Sequence, residues 1–268
     1  MTGCSVPDAV AAPGFVGAST KAYMGQVQTL AWLDGIATAI DERPELTAGG
    51  VKMFVIPAFP LIPAALERLG SRGVIVGAQT VSWGDGALTG EVSAALLREM
   101  GVGIVEIGHA ERREHFGESD EVIAQKVRVS LDAGITPLLC IGEPERVSIA
   151  EAAEFCRRQV LSALGGSLVE LPALVLAYEP IWAIGASEPA PADYVSGVVT
   201  AVRDTLRAER AQSIPDAVEH HVPVIYGGSA GPGLLQTLHG VDGLFLGRFA
   251  HDPANFVKVV DEALALRA

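Results

Sequence analysis

The chain has 268 residues, about half of them apolar (49%), and a net charge of −13. That length and apolar content supply the core of one large domain. The acidity excludes a protein whose affinity comes from neutralising nucleic-acid phosphates, while leaving room for local binding of a small anion.

Taken in chain order, residues 1–13 lack a basic start followed by an apolar stretch and are expected to form an N-terminal extension, with one domain over 14–268. Short apolar runs then recur: "GFVGA", "VKMFVIPAF", "GVIVGAQ", "GVGIVEIG", "ITPLLCIGE", "ALVLAYEP", "VPVIYGG" and "VDGLFLG". They are continuous and not alternating, as strands covered on both faces are. Helical periods lie between them, for example Val195, Val198, Val199 and Val202, or Phe256, Val259, Val260 and Ala263. Asp252 followed by Pro253 marks the start of the last helix. Eight such units, with no Gly-x-Gly-x-x-Gly after the first strand and no Walker A loop, predict a closed (β/α)8 barrel in a single α/β domain. No run reaches the ~20 apolar residues of a membrane span. Cys4, Cys140 and Cys156 have neither disulfide-framework nor zinc spacing, so no metal is expected and a soluble, cytoplasmic protein is.

Barrel enzymes draw their reactive groups from the C-terminal ends of the strands. There the first strand places Lys21, the fourth His109 and the sixth Glu179, whose following Pro180 holds it extended. The last two strands end in "YGGSAG" and "FLGRFA", whose glycines expose backbone N–H groups. Each residue also has an ordinary reading. Lys21 could be a solvated charge, His109 a hydrogen-bonded loop residue, Glu179 half of a structural ion pair and the glycines tight turns. Their placement at one rim favours a site holding a base, an imidazole, an ammonium group and two amide-rich anion sites. After Glu179, "IWAIG" reads as an apolar lid, with Trp182 and Ile184 covering the site and Gly185, Ala186 and Ser187 forming a mobile tip.

From about Phe15 onward, "GAQTVSWGDGALTGEVS", "GHAERREHFGE", "LLCIGE", "AYEPIWAIG", "VIYGGS" and "DGLFLG" resemble, in order and spacing, the motifs of the triosephosphate isomerase family. The resemblance implies a TIM barrel that interconverts small aldose and ketose phosphates through an enediolate, without a cofactor. It implies Glu179 as base, His109 as electrophile, Lys21 as the cation of the site and Glu111 as its partner. The phosphate would rest on N–H groups of Gly185, Ser229, Gly247 and Arg248, beneath a lid of Trp182, Ala183, Ile184, Ala186 and Ser187. A homodimer is implied too, the loop around Thr89 reaching into the partner's site, as is a place in glycolysis and gluconeogenesis. His109 would stand at the start of a helix, whose dipole favours a neutral imidazole; these two roles are a standard illustration of acid–base tuning.

Four positions depart from the family pattern. "ASEPA" follows Gly185 where Thr-Gly-Lys-Thr-Ala is usual, Ser19 stands for an asparagine near Lys21, Ala110 for a serine, and Arg248 for a glycine. All surround the substrate, while the proton-transfer groups stay. The leading expectation is therefore a triosephosphate isomerase, with an isomerase of a four-carbon sugar phosphate such as erythrulose phosphate as the alternative. An inactive phosphate-binding paralogue is a third reading.

Overall fold

The computed structural model describes residues 14–48, 50–214 and 221–267. The expected N-terminal extension, with Cys4, lies outside the described residues. Eight parallel strands, β1 (Phe15–Ser19), β2 (Lys52–Ile56), β3 (Ile75–Ala78), β4 (Ile104–Ile107), β5 (Thr136–Ile141), β6 (Val175–Tyr178), β7 (Val224–Tyr226) and β8 (Gly243–Leu246), follow one another around a closed barrel. Closure comes from β1, which pairs with both β2 and β8.

The described helices are α1 (Gln26–Glu42), α2 (Glu45–Ala48), α3 (Ile62–Leu69), α4 (Ala94–Met100), α5 (Ala110–Phe116), α6 (Asp120–Asp132), α7 (Ile149–Ala163), α8 (Ala192–Ser213) and α9 (Pro253–Ala265). Local chemistry fixes several starts. Ser148 and Glu151 form a reciprocal capping box on α7, and Asp252 accepts from Ala254 N–H at 2.9 Å to cap α9. The alternation of strand and helix fails between β7 and β8, where the described structure is a single 3-10 turn, Leu235–Thr237. The intervening "GGSAGPG" explains this, since two of its four glycines, Gly228 and Gly233, take positive φ and its proline has no amide hydrogen.

Continuous apolar strands were the signature of burial on both faces, and both faces are buried. Inside the barrel, Phe54, Ile56, Ile104, Leu138, Cys140, Val175, Ala177, Ile225 and Phe245 pack together. Alternate residues face the helices, among them Val16, Val55, Val105, Leu139 and Leu176, against Val195, Val198, Val199 and Val202 of α8 and Phe256, Val259 and Val260 of α9. Cys140 and Cys156 are buried free thiols. No described helix is long and apolar enough to cross a membrane.

The end of the barrel opposite the strand C-termini is tied by one carboxylate. Buried Asp242, just before β8, accepts from Arg203 Nη2 at 2.6 Å and from Val224 N–H at 2.7 Å, and His221 Nε2 lies 2.5 Å away. It thus joins α8, β7 and β8. Asp242→Ala would take the carboxylate from the Arg203 guanidinium, leaving it only the Gly240 carbonyl, and would leave a buried amide without its acceptor, and stability to urea is expected to fall by about 3 kcal/mol. Equilibrium denaturation checks this.

Candidate active site

At the C-terminal mouth of the barrel the structure brings Ser19, Lys21, His109, Glu111 and Glu179 together with Gly185, Ser229, Gly247 and Arg248 around one cavity of about 790 Å³. Lys21 leaves β1 with φ of +46°, alone among described non-glycine residues in the left-handed region, a conformation that costs a lysine roughly 1 kcal/mol. Gln79 Nε2 donates to the Lys21 carbonyl at 2.9 Å and helps to hold it. The side chain then reaches Glu111, Nζ to Oε1 at 2.6 Å. Burial alone would lower the Lys21 pKa, but the Glu111 hydrogen bond and charge, with Glu179 and Glu106 beyond, raise it instead. Burial likewise works to raise Glu111, and Lys21 outweighs it and lowers the carboxyl.

His109 caps α5, as its place before "AERRE" predicted. Its Nδ1 accepts the Glu111 amide hydrogen at 3.1 Å. A ring nitrogen that accepts has no proton, so the neutral ring carries its hydrogen on Nε2. Nε2 faces Glu179 Oε2 at 3.4 Å and Glu106 Oε1 at 3.9 Å.

Glu179 follows β6 and extends the ladder, its amide donating to Ile141 carbonyl at 2.8 Å. It is 6% exposed, and its Oε2 has no hydrogen-bond partner. Two glycines make its position possible. A Cβ at Gly142 would lie 2.0 Å from the Glu179 carbonyl oxygen, and one at Gly227 would lie 2.2 Å from Oε1.

The segment after Glu179 differs in one respect from its sequence reading. Ile184, Gly185, Ala186 and Ser187 line the cavity, whereas Trp182 and Ala183 do not. The Trp182 indole needs an acceptor for its N–H and turns to Glu143, donating to Oε1 at 2.8 Å. Glu143, which ends the "LLCIGE" run, is buried and also receives the hydroxyls of Tyr178 and Tyr194. Trp182 therefore anchors the hinge and Ile184 covers the cavity. At the far end, Ser229 Oγ donates to Ala186 carbonyl at 2.6 Å and Ala190 N–H donates to Tyr226 hydroxyl at 3.1 Å, so the segment is docked on the β7 loop.

Arg248 is exposed at the rim, its guanidinium over the Tyr23 ring at 5.7 Å. Thr89 lies exposed in the loop after β3 and does not line the cavity of its own chain.

Sequence reasoning missed Glu106, Gly227 and the part played by Glu143. Glu106 carried a readable signal, a lone charge inside "GVGIVEIG" at the inward-facing phase of β4. It is 4% exposed. Burial pushes its carboxyl up to about 7, Glu179 adding to the rise and His109, Lys21 and Ser19 opposing it. A carboxyl raised from 4.5 by folding stabilises the native state below pH 4.5, and that contribution is lost as pH climbs through about 7. Glu106→Gln should therefore gain on the wild type by roughly 2 kcal/mol between about pH 5 and 8. Denaturation of both proteins across that range measures it, and a constant gap would show an unperturbed carboxyl.

The profile of the triosephosphate isomerase family matches residues 14–263. The L-erythrulose-1-phosphate isomerase of Pectobacterium atrosepticum is 47% identical over 255 residues, covering 94% of this chain and 96% of that protein. The enzyme of the same name from Rhizobium meliloti is 39% identical, covering 92% and 95%. A triosephosphate isomerase from Alkalilimnicola ehrlichii is 38% identical over 227 residues, covering 82% and 88%. With the barrel and the site motifs in register along nearly the whole length, the chain belongs to the triosephosphate isomerase family and is an isomerase.

Proposed function

We propose that this enzyme isomerises a four-carbon ketose phosphate, L-erythrulose 1-phosphate, by proton transfer through an enediolate. The observation that carries the chemistry is Glu179 Oε2 and His109 Nε2 at 3.4 Å, at one end of a cavity whose other end is lined by Gly185, Gly228, Gly231 and Gly247. The choice of substrate is supported by the near-full-length relatives of that name, more similar than the triosephosphate isomerase relative. This reading replaces the leading expectation of a triose substrate with its alternative. It also takes the reaction away from glycolysis and gluconeogenesis.

In L-erythrulose 1-phosphate the carbonyl is at C2, between the phosphate-bearing C1 and the hydroxyl-bearing C3. Glu179, ionised, takes the C3 proton as the C–H pair becomes the C2–C3 double bond and the carbonyl pair moves to O2. His109 Nε2–H supplies the proton that O2 needs and recovers one from O3, and its hydrogen bond stabilises the developing oxyanion. Glu179 then returns its proton to C2 while the carbonyl re-forms at C3. Since C3 also carries the C4 hydroxymethyl group, both substrate and product are ketoses. A three-carbon substrate would give an aldose. Lys21, held charged by Glu111, adds positive potential beside both oxygens.

The phosphate lies against the N–H groups of Gly185, Ser229, Gly247 and Arg248, which suits a strongly acidic protein because no basic surface is required. Closure of the segment ending in Ile184 and Ser187 keeps water from the enediolate. The exposed loop holding Trp83 and Thr89 is the contact with a second copy, which makes the enzyme a homodimer.

Assays of one preparation on L-erythrulose 1-phosphate and on dihydroxyacetone phosphate are expected to give the larger kcat/KM with the four-carbon substrate. A larger triose value would restore the triose reading. Glu179→Gln should lower kcat by about 10³-fold or more, with binding of 2-phosphoglycolate within a few-fold of wild type. Nearly intact activity would remove Glu179 from its role. Gly227→Ala, which places a methyl group where the Glu179 carboxylate sits, should cost kcat on the order of 10²-fold.

A further inference from the structure

The cavity is short of positive charge for a phosphorylated ligand. Its charged lining residues are Lys21, Glu111, Glu179 and Arg248. Glu111 takes up the Lys21 ammonium group at 2.6 Å, and Glu179 adds a second carboxylate. Without Arg248 the lining would carry one positive and two negative charges, in a protein whose net charge is −13. A phosphate monoester brings roughly −1.5 to −2 more near neutral pH. Backbone N–H groups offer such an anion hydrogen bonds and partial charges, but no full positive charge.

Arg248 is placed differently from Lys21. Among the described residues no carboxylate pairs with it, and its guanidinium lies over the ring of Tyr23, a residue of the same cavity wall. His251 packs on that ring too, with centroids 5.7 Å apart. Burial, with the Arg248 charge beside it, holds the His251 pKa below its usual 6.5, so this imidazole brings no competing charge at pH 7. The backbone under Arg248 is fixed. It opens the 3-10 turn Arg248–His251, in which the Ala250 carbonyl accepts from Trp32 Nε1 at 2.7 Å and the Phe249 carbonyl from Asn255 Nδ2 at 3.3 Å. An arginine on a fixed turn, resting on an aromatic face and holding no carboxylate, keeps its planar fork of donors for a ligand.

We propose that the Arg248 side chain is a phosphate-binding group of this site, held on Tyr23 and donating to the outer oxygens of the substrate phosphate. This rests on the reading of the glycine-lined end of the cavity as the phosphate end, and not on the number of carbons in the substrate. Where the resemblance would put a glycine, an anion site has backbone donors alone. The arginine adds a full charge and a bidentate contact at the rim, which offset the carboxylates around the ligand.

The test measures dissociation constants of inorganic phosphate and 2-phosphoglycolate, with kcat and KM on L-erythrulose 1-phosphate, for wild type, Arg248→Gln, Arg248→Lys and Tyr23→Leu. Arg248→Gln is expected to raise both constants and KM by about 10-fold, with kcat within about threefold, as for a group that binds substrate and transition state alike. Arg248→Lys keeps the charge without the fork, and Tyr23→Leu removes the ring beneath it. Each should raise the constants by roughly threefold. The gap between wild type and Arg248→Gln should narrow as salt is added, since the charge is at an exposed rim. Unchanged anion constants in Arg248→Gln, or a gap that salt does not alter, would overturn the proposal. A wild type that binds both anions and turns over dihydroxyacetone phosphate but not L-erythrulose 1-phosphate would overturn the four-carbon reading, while the anion constants still decide the role of Arg248. A wild type that binds neither anion would overturn both.

Discussion

Glu179 leaves β6 with its amide still in the sheet, bonded to Ile141, and its carboxylate lying over the bare backbone of Gly227. The rest of the barrel mouth follows from holding one buried carboxylate in that place. Gly142 lets the chain of β5 pass close to the Glu179 carbonyl, and Gly227 does the same for its side chain. Pro180 keeps Glu179 extended before the 3-10 turn Ile181–Ala183, in which Trp182 is secured on Glu143. A Glu179 oxygen without a hydrogen bond is unfavourable in a resting fold, and it also leaves that oxygen free to accept the proton that the proposed reaction delivers.

Charge around that carboxylate is arranged locally. The protein is strongly acidic, yet the cavity gathers Lys21, the helix start at His109 and the glycine loops of β7 and β8 on the side where negative charge must be received. Glu111 and Lys21 hold one another ionised, so the ammonium group stays charged despite its partial burial. Glu106, deeper in the barrel, has no such cation in contact. The three carboxyl groups of the site are thus differentiated by surroundings alone, one paired, one poised beside an imidazole and one pushed up by burial.

Much of this was legible in the sequence because it rests on local chemistry. Continuous apolar runs gave the strands, and Asp252 and Pro253 gave the start of α9; the missing helix after β7 was not foreseen, although the glycines and proline there account for it. The positions of Lys21, His109 and Glu179 followed from where strands end. What could not be read depends on directions that the chain takes only when folded. Trp182 seemed suited to cover a cavity, but its indole N–H is satisfied by Glu143, thirty-nine residues earlier in the chain. Gly227 resembled any turn glycine until the Glu179 side chain was placed against it. Glu106 was visible as the lone charge of its run, but the side it faces was not, because inward and outward phases of a doubly covered strand look alike until the register is known.

The partner of His109 Nδ1 is a backbone amide in the first turn of α5, and a backbone amide cannot change from donor to acceptor. The imidazole therefore has one working nitrogen for the whole reaction, and tautomer exchange would require unwinding the helix it caps. In the proposed reaction a single N–H that serves O2 and then O3 needs both oxygens on the same edge of the substrate. For the proposed four-carbon substrate the helix start thereby dictates a stereochemical outcome: the intermediate is a cis-enediol, with the phosphate-bearing and hydroxymethyl carbons together on the opposite edge.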